Sequence, residues 1–227
     1  MSERFALVTG SSQGLGLAIC QYLLESDYVV IGASRSETPI EHERFIPAKV
    51  DVRDEDDVVE LFEIIKETTD ALHLVVNNAG ICQMSPLTEM STDDFNNHLQ
   101  TNVVGPFHIM KHTYPFLIQN ETHFINILSI AAQKGYPQMS AYCASKHGLN
   151  GLVTSLREEW KHLGVRFTNL IPGAINTTLW DKIDVEFPRD KMLSIEEFIE
   201  VFATVESSSS TISMPEVHLN HRSGEIS

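Results

Sequence analysis

Tyr142 and Lys146 stand four residues apart in "SAYCASKHG", which runs from Ser140 to Gly148 in a stretch that reads as helix. Side chains at i and i+4 lie one above the other on a helix face. An ammonium beside a phenol favours the phenolate, so the spacing predicts a tyrosine pKa below its usual value of about 10. A tyrosine tuned that way exchanges a proton with a substrate near neutral pH. A lone Y-x-x-x-K is common, and taken alone the pair is more simply a surface contact with no role.

A second stretch suggests a ligand for such chemistry. "TGSSQGLG", Thr9–Gly16, joins an apolar run to a helix. Its glycines, Gly10, Gly14 and Gly16, allow a tight turn and close backbone approach. A helix N-terminus offers free N–H groups and partial positive charge to a pyrophosphate. The spacing is G-x-x-x-G-x-G rather than the standard dinucleotide G-x-G-x-x-G. Eighteen residues past Gly16, where an NAD site carries an acid for the ribose 2′-hydroxyl, stand Ser34 and Arg35. A hydroxyl and a guanidinium suit a 2′-phosphate, which a carboxylate would repel.

The elements that must hold these residues follow from the apolar pattern. Strands are expected at Phe5–Thr9, Tyr28–Ser34, Arg44–Val50, Leu72–Gly80 (with its turn), His123–Ser129 and Val165–Gly173. Pro47 marks the third of these as an edge strand. Helices are expected at Gly14–Ser26, from the cap Asp54 to about Glu67, at Thr92–Ile118 with kinks at Pro106 and Pro115, and at Ser140–Leu163. "ESSSSTIS", Glu206–Ser213, reads as a loop before a last edge strand at Pro215–His221. Apolar strands alternating with helices predict an α/β fold: a doubly wound, Rossmann-type parallel sheet, helices on both faces, in a single domain. Thr177–Met192 has no clear period and would lie over the ligand crevice.

Bulk properties narrow the partners. The chain has 227 residues, 42 % of them hydrophobic, and a formal net charge of −15. That balance argues against nucleic acid or an anionic membrane as partner. Cys20, Cys82 and Cys143 lie far apart, without metal-ligand spacing. The odd count, and a start without a signal-peptide apolar region, lead us to expect a cytoplasmic setting. His218 and His221 fall in a strand and its exit, so no metal site is expected.

Five motifs in order make the chain resemble the short-chain dehydrogenases/reductases, over about residues 4 to 200: "TGSSQGLG", "NNAG" (Asn77–Gly80), Asn102 in "TNVVG", Ser129 followed by "YCASK" (Tyr142–Lys146), and "PGAINT" (Pro172–Thr177). The resemblance implies a catalytic set. Tyr142 would be the general acid for reduction and base for oxidation, with its pKa lowered by Lys146. Lys146 would also hold the nicotinamide ribose hydroxyls, and Ser129 would donate to the substrate oxygen. Asn102 would hold a water linking Lys146 to solvent. It also implies NADP(H) as cofactor. Gly10, Ser12, Gln13, Gly14, Leu15 and Gly16 would take the pyrophosphate, and Ser34 and Arg35 the 2′-phosphate. Asp51 and Val52 would hold the adenine, and Asn78, Ala79 and Gly80 would line the adenosine side. Pro172, Gly173, Ile175 and Thr177 would bind the cofactor, with Ile175 meeting the nicotinamide carboxamide and Thr177 hydrogen-bonding to it. A homodimer or homotetramer, built on the two long helices, is expected by the same analogy.

The substrate is less clear from the motifs. About fifty residues follow "PGAINT", so a short substrate lid is expected at residues 177–193. Asn176 to Glu197, the lid and the helix after it, holds Asp181, Asp184, Glu186, Asp190, Glu196 and Glu197 against Lys182, Arg189 and Lys191. Leu179, Trp180, Ile183, Val185, Phe187 and Met192 there suffice to line an apolar pocket. The expectation is a small, largely apolar or neutral carbonyl or alcohol. The alternatives are a 3-oxoacyl-carrier-protein reductase, whose acidic partner needs basic docking residues, and a non-catalytic NADP sensor or scaffold.

Overall fold

The computed structural model describes residues 3–117, 122–182 and 187–224. The end of the expected helix at Ile118, and lid residues Ile183, Asp184, Val185 and Glu186, lie outside them. Seven parallel strands form one sheet in the order β3-β2-β1-β4-β5-β6-β7. They are β1 (Arg4–Thr9), β2 (Tyr28–Ser34), β3 (Phe45–Lys49), β4 (Leu74–Asn77), β5 (His123–Ile127), β6 (Arg166–Pro172) and β7 (Glu216–Leu219). Pro47 pairs with Gly32 on edge strand β3, where a residue without an N–H breaks no second ladder. The β1 residues Ala6, Leu7 and Val8 are wholly buried, as a strand covered on both faces requires.

Helices α1 (Gly14–Glu25) and α6 (Ile195–Glu206) cover one face of the sheet. Helices α2 (Glu55–Thr68), α4 (Gly105–Thr113) and α5 (Ser140–Trp160) cover the other. Asp54 caps α2 by accepting from the Asp56 N–H. Ser194 and Glu197 form a reciprocal capping box on α6, whose Phe198 and Phe202 are fully buried. Glu206 belongs to α6 rather than to the expected loop. It is buried because Tyr22 and Tyr28 both donate to its carboxylate.

The expected helix from Thr92 is not continuous. Helix α3 (Thr92–Leu99) passes into one π-helical turn, Gln100–Val104, before α4 begins. Pro106 falls in the first turn of α4, where its missing N–H disturbs nothing, so it starts a helix instead of kinking one. Pro115 lies in a 3₁₀ turn, Tyr114–Phe116. The irregularity therefore centres on the π turn, which contains Asn102. Such turns often accompany functional sites.

A run of asparagines ties the sheet to α5. Asn77, Asn126 and Asn169 are in register on β4, β5 and β6. Asn77 donates to Asn126 at 2.9 Å, Asn126 to Asn169 at 3.2 Å, and Asn169 to Asn150 of α5 at 2.9 Å. Buried amides bonded in series resist any slip of one strand past another.

His123, buried on β5, meets Thr168 through Nε2 at 2.9 Å. Its Nδ1 has no partner among the described residues. Burial, and then Arg166, hold its pKa down to about 3, so the folded protein keeps it neutral. The unfolded chain takes up the proton near its usual value of about 6.5. Stability from this group is therefore complete above pH 6.5 and lost as pH falls from there toward 3. Relative to His123→Val, the wild type should lose about 1.4 kcal/mol per pH unit in that window, read by urea melts. A difference that does not change with pH contradicts this assignment.

Candidate active site

The sheet's connections diverge at β1, with β2 on one side and β4 on the other. Ligands bind in the crevice that such a switch opens at the strands' C-terminal ends. A cleft of about 790 Å³ occupies this place. It is lined by every residue expected from the sequence to serve the cofactor or the reaction, except Gly16 and Asn102.

The glycine turn explains one exception. Gly10 sits at φ +70°, and a Cβ there would stand 2.9 Å from the Ala79 Cα. A Cβ on Gly16 would stand 2.1 Å from the Gly10 carbonyl oxygen. Gly16 thus closes helix against turn from behind the cleft wall. Gly14, at φ +55°, faces open space, with only Thr177 near at 3.9 Å. Asn78 holds the turn in shape: its side-chain amide donates to the Thr9 and Gly10 carbonyls at 2.9 and 3.2 Å. That amide is therefore engaged by protein, and the ligand-facing part of "NNAG" is backbone.

Helix α1 has a bare first turn, as α4 and α5 also do. Helices α2, α3 and α6 carry side-chain caps and acidic first turns. Helix α1 has no side-chain cap and no acid in its first turn. Its N–H groups and positive end face the cleft without a protein anion, which fits a bound pyrophosphate.

Ser34 and Arg35 line the other end of the cleft. The Ser34 hydroxyl is buried and donates to the Ser36 carbonyl at 2.5 Å, so a 2′-phosphate does not find it free. Arg35 is exposed on the cleft and makes no ion pair among the described residues. Glu37 also lines this end. The Asp51 carboxylate, expected at the adenine, is gripped by the Arg53 guanidinium, which with Arg35 outweighs burial and holds its pKa below the usual carboxylate range. Val52 is buried against Gly105, where a Cβ would come within 2.7 Å of it.

On the floor of the cleft stand Ser129, Tyr142 and Lys146. Lys146 is buried, and its Nζ donates to the Ile127 carbonyl at 2.8 Å. It stands 5.7 Å from the centre of the Tyr142 ring. Desolvation lowers its pKa to about 8. The Tyr142 phenol is not depressed: burial pushes it up, more strongly than the Ser129 hydrogen bond pulls it down. The expectation from spacing fails because desolvation outweighs an ammonium directed at a backbone carbonyl. Asn102 stands behind these groups, in the π turn. Its side chain accepts from the Ile81 N–H and donates to the Ile81 carbonyl, each at 2.9 Å, and donates to Ser145 at 2.9 Å. Both hydrogens of that amide are thereby used by protein groups.

The segment after β6 folds back over the opening. Gly173 is held by its N–H to Leu219 of β7 at 2.8 Å. Ile175 bridges Leu193, and the Trp180 indole donates to the Ile175 carbonyl at 2.8 Å. Trp180 and Phe187 meet edge to face at 4.7 Å. Met84, Tyr136 and Gln138 also line the cleft, without any motif in the sequence to mark them.

A doubly wound parallel sheet with a cleft at its switch point is a dinucleotide-binding architecture. A family model described as short chain dehydrogenase matches residues 4–186, and the chain belongs to that family. It is 35 % identical over 186 residues to a 3-amino-tetrahydro-pyrrolizinone reductase from Xenorhabdus hominickii, covering 80 % of this chain and 65 % of that enzyme. It is 29 % identical over 241 residues to a sepiapterin reductase from Chlorobaculum tepidum, covering 99 % and 98 %. Among solved structures, an alcohol dehydrogenase from the archaeon Thermococcus sibiricus complexed with 5-hydroxy-NADP shares the fold, with TM-score 0.87, 23 % identity and 97 % of each chain covered. ElxO with NADP bound superposes with TM-score 0.85 and 26 % identity, over 96 % of this chain and 98 % of that one.

The packing at Gly16 is directly testable. Gly16→Ala should destabilise the fold by about 1–3 kcal/mol or prevent folding, because backbone must move. Gly151, inside α5, is the control, because a Cβ there would meet nothing within 4 Å. Gly151→Ala should stabilise by about 0.5–1 kcal/mol in the same denaturant melts.

Proposed function

We propose that the chain is an NADP(H)-dependent oxidoreductase acting on a small, largely apolar or neutral carbonyl or alcohol. The observation that carries this is convergence. Ser129, Tyr142 and Lys146 share one cleft with an uncapped helix N-terminus and an arginine without an ion pair among the described residues.

A nicotinamide bound in this cleft supplies or accepts the hydride. The chain's residues manage position and proton. Ser129 and Tyr142 donate to the carbonyl oxygen, where charge develops. A protonated phenol is the form that gives a proton to a carbonyl being reduced, and burial favours that form. Lys146, buried under the tyrosine, places a positive charge where phenolate forms when it is protonated. Asn102 fixes the loop at Ile81.

The lid supports a small neutral substrate. Arg189 is engaged by Asn176, the Thr177 carbonyl and Asp181. Arg189 is thus not a free cation for docking an acidic carrier protein, and the sequence from Asn176 to Glu197 carries six acids against three bases. Residues 177–193 serve as lid to the single catalytic domain. Phe107 of α4 and Tyr114 beside it are 43 % and 45 % exposed, consistent with a homodimer or homotetramer through these helices.

The test is NADPH oxidation over a panel of carbonyl compounds. Tyr142→Phe should keep the fold and cofactor affinity while kcat falls at least about a hundredfold. Wild-type turnover in that variant rejects the mechanism.

Cofactor choice rests on Arg35. The wild type should prefer NADPH, and Arg35→Leu should lower kcat/KM for NADPH by about thirtyfold while sparing NADH, for a charge-assisted contact of about 2 kcal/mol. Equal wild-type kcat/KM for both cofactors rejects this role.

A further inference from the structure

The segment from Ile81 to Ser85 has no regular secondary structure, yet its alternate N–H groups are fixed from three elements. The Ile81 N–H donates to Asn102 of the π turn at 2.9 Å. The Gln83 N–H donates to Nε2 of His98, on α3, at 3.1 Å. The Ser85 N–H donates to the Gln138 carbonyl, ahead of α5, at 2.8 Å. Gln138 stands at φ +61°, a conformation uncommon for a residue with a side chain. Extended chain alternates its side chains. Gln83 is exposed, whereas Cys82 and Met84 line the cleft.

His98 is the least expected of these supports. Its side chain is wholly buried on a polar helix. Nδ1 donates to the Asp94 carbonyl at 2.8 Å, and Nε2 accepts from Gln83. Both ring nitrogens are thus used by the neutral tautomer with hydrogen on Nδ1. A purely apolar side chain there would leave the Gln83 N–H without its acceptor.

The surface that this pinned segment presents is chemically specific. Cys82 and Met84 pack with Met139, Cys143, Tyr136 and Tyr142. Burial pushes the Cys82 thiol up to about 12, so it stays a neutral, soft group at physiological pH. Thiol and thioether sulfurs are polarizable, and thioethers in particular make favourable contacts with aromatic rings. Trp180 and Phe187 line the same cleft and favour flat partners as well.

We propose that His98 is a positioning residue for substrate selectivity: by holding Gln83 it sets the Cys82–Met84 wall, which selects carbonyl substrates bearing an aromatic ring. The substrate half of this proposal rests on the reductase reading above; the pin itself does not.

The experiment compares the wild type with His98→Leu, His98→Gln and His98→Asn, using NADPH with acetophenone and with 2-octanone. The wild type should favour acetophenone in kcat/KM by about tenfold. His98→Leu should raise KM for acetophenone about tenfold, with kcat and the 2-octanone KM changed less than about threefold. His98→Gln, whose amide oxygen can accept from Gln83, should restore selectivity, and the shorter His98→Asn should not. In the cofactor-free protein, amide hydrogen exchange over residues 81–85 should quicken in His98→Leu and His98→Asn but not in His98→Gln. If His98→Leu does not fold, the Gln and Asn variants make the same comparison. Equal exchange in the Gln and Asn variants overturns the pin. A wild type that favours 2-octanone, or Leu and Asn variants that keep the wild-type KM ratio, overturns the selectivity. A wild type that reduces no carbonyl compound rejects the reductase reading, and exchange alone then decides the pin.

Discussion

The attachment of α5 to the sheet is the constraint on which the site depends. Two polar side chains one helical turn apart, Lys146 and Asn150, point inward from that helix. Lys146 meets the Ile127 carbonyl at the end of β5, and Asn150 ends the asparagine run that crosses β4, β5 and β6. Buried polar groups tolerate little displacement, because a lost partner costs about 1–3 kcal/mol. Apolar packing alone would let the helix slide. These bonds set its height and rotation, and so the place of Tyr142 over the strand ends.

The same logic separates the two halves of the cleft. On the cofactor side, protein groups are left unsatisfied: α1 lacks a cap, and Arg35 lacks an ion-pair partner among the described residues. On the structural side amides are turned to protein groups: the Asn78 amide closes the glycine turn and the Asn102 amide closes the loop at Ile81. In a chain of net charge −15, a concentrated positive end toward the solvent is conspicuous. It gives an anionic ligand a defined place on an otherwise repelling molecule.

The reacting groups show how strongly burial governs charge here. Desolvation lowers Lys146 to about 8 and raises the phenol of Tyr142. Both shifts favour neutral forms, and both follow from the helix being pressed against the sheet. Proton exchange at such a site depends on what enters the cleft and on the charge it brings.

Sequence alone determined the sheet, its parallel sense and the position of the glycine turn, because these depend on local pattern. Apolar runs such as Phe5–Thr9 can only be buried strands, and Pro47 belongs at an edge wherever the sheet forms. The ordered motifs also marked Ser129, Tyr142 and Lys146 for one cleft, where the fold places them. Tertiary structure decided what each side chain faces. Spacing placed an ammonium beside Tyr142, but a backbone carbonyl 19 positions away in sequence took it. Ser34, Asn78 and Asn102 carry the expected residue types, yet protein groups from adjoining segments occupy their polar atoms. His98 and the π turn left no pattern to read, since their partners Gln83 and Ile81 reach them only across the folded loop. Local propensity fixes an element; desolvation and hydrogen-bond matching between distant segments fix its chemistry.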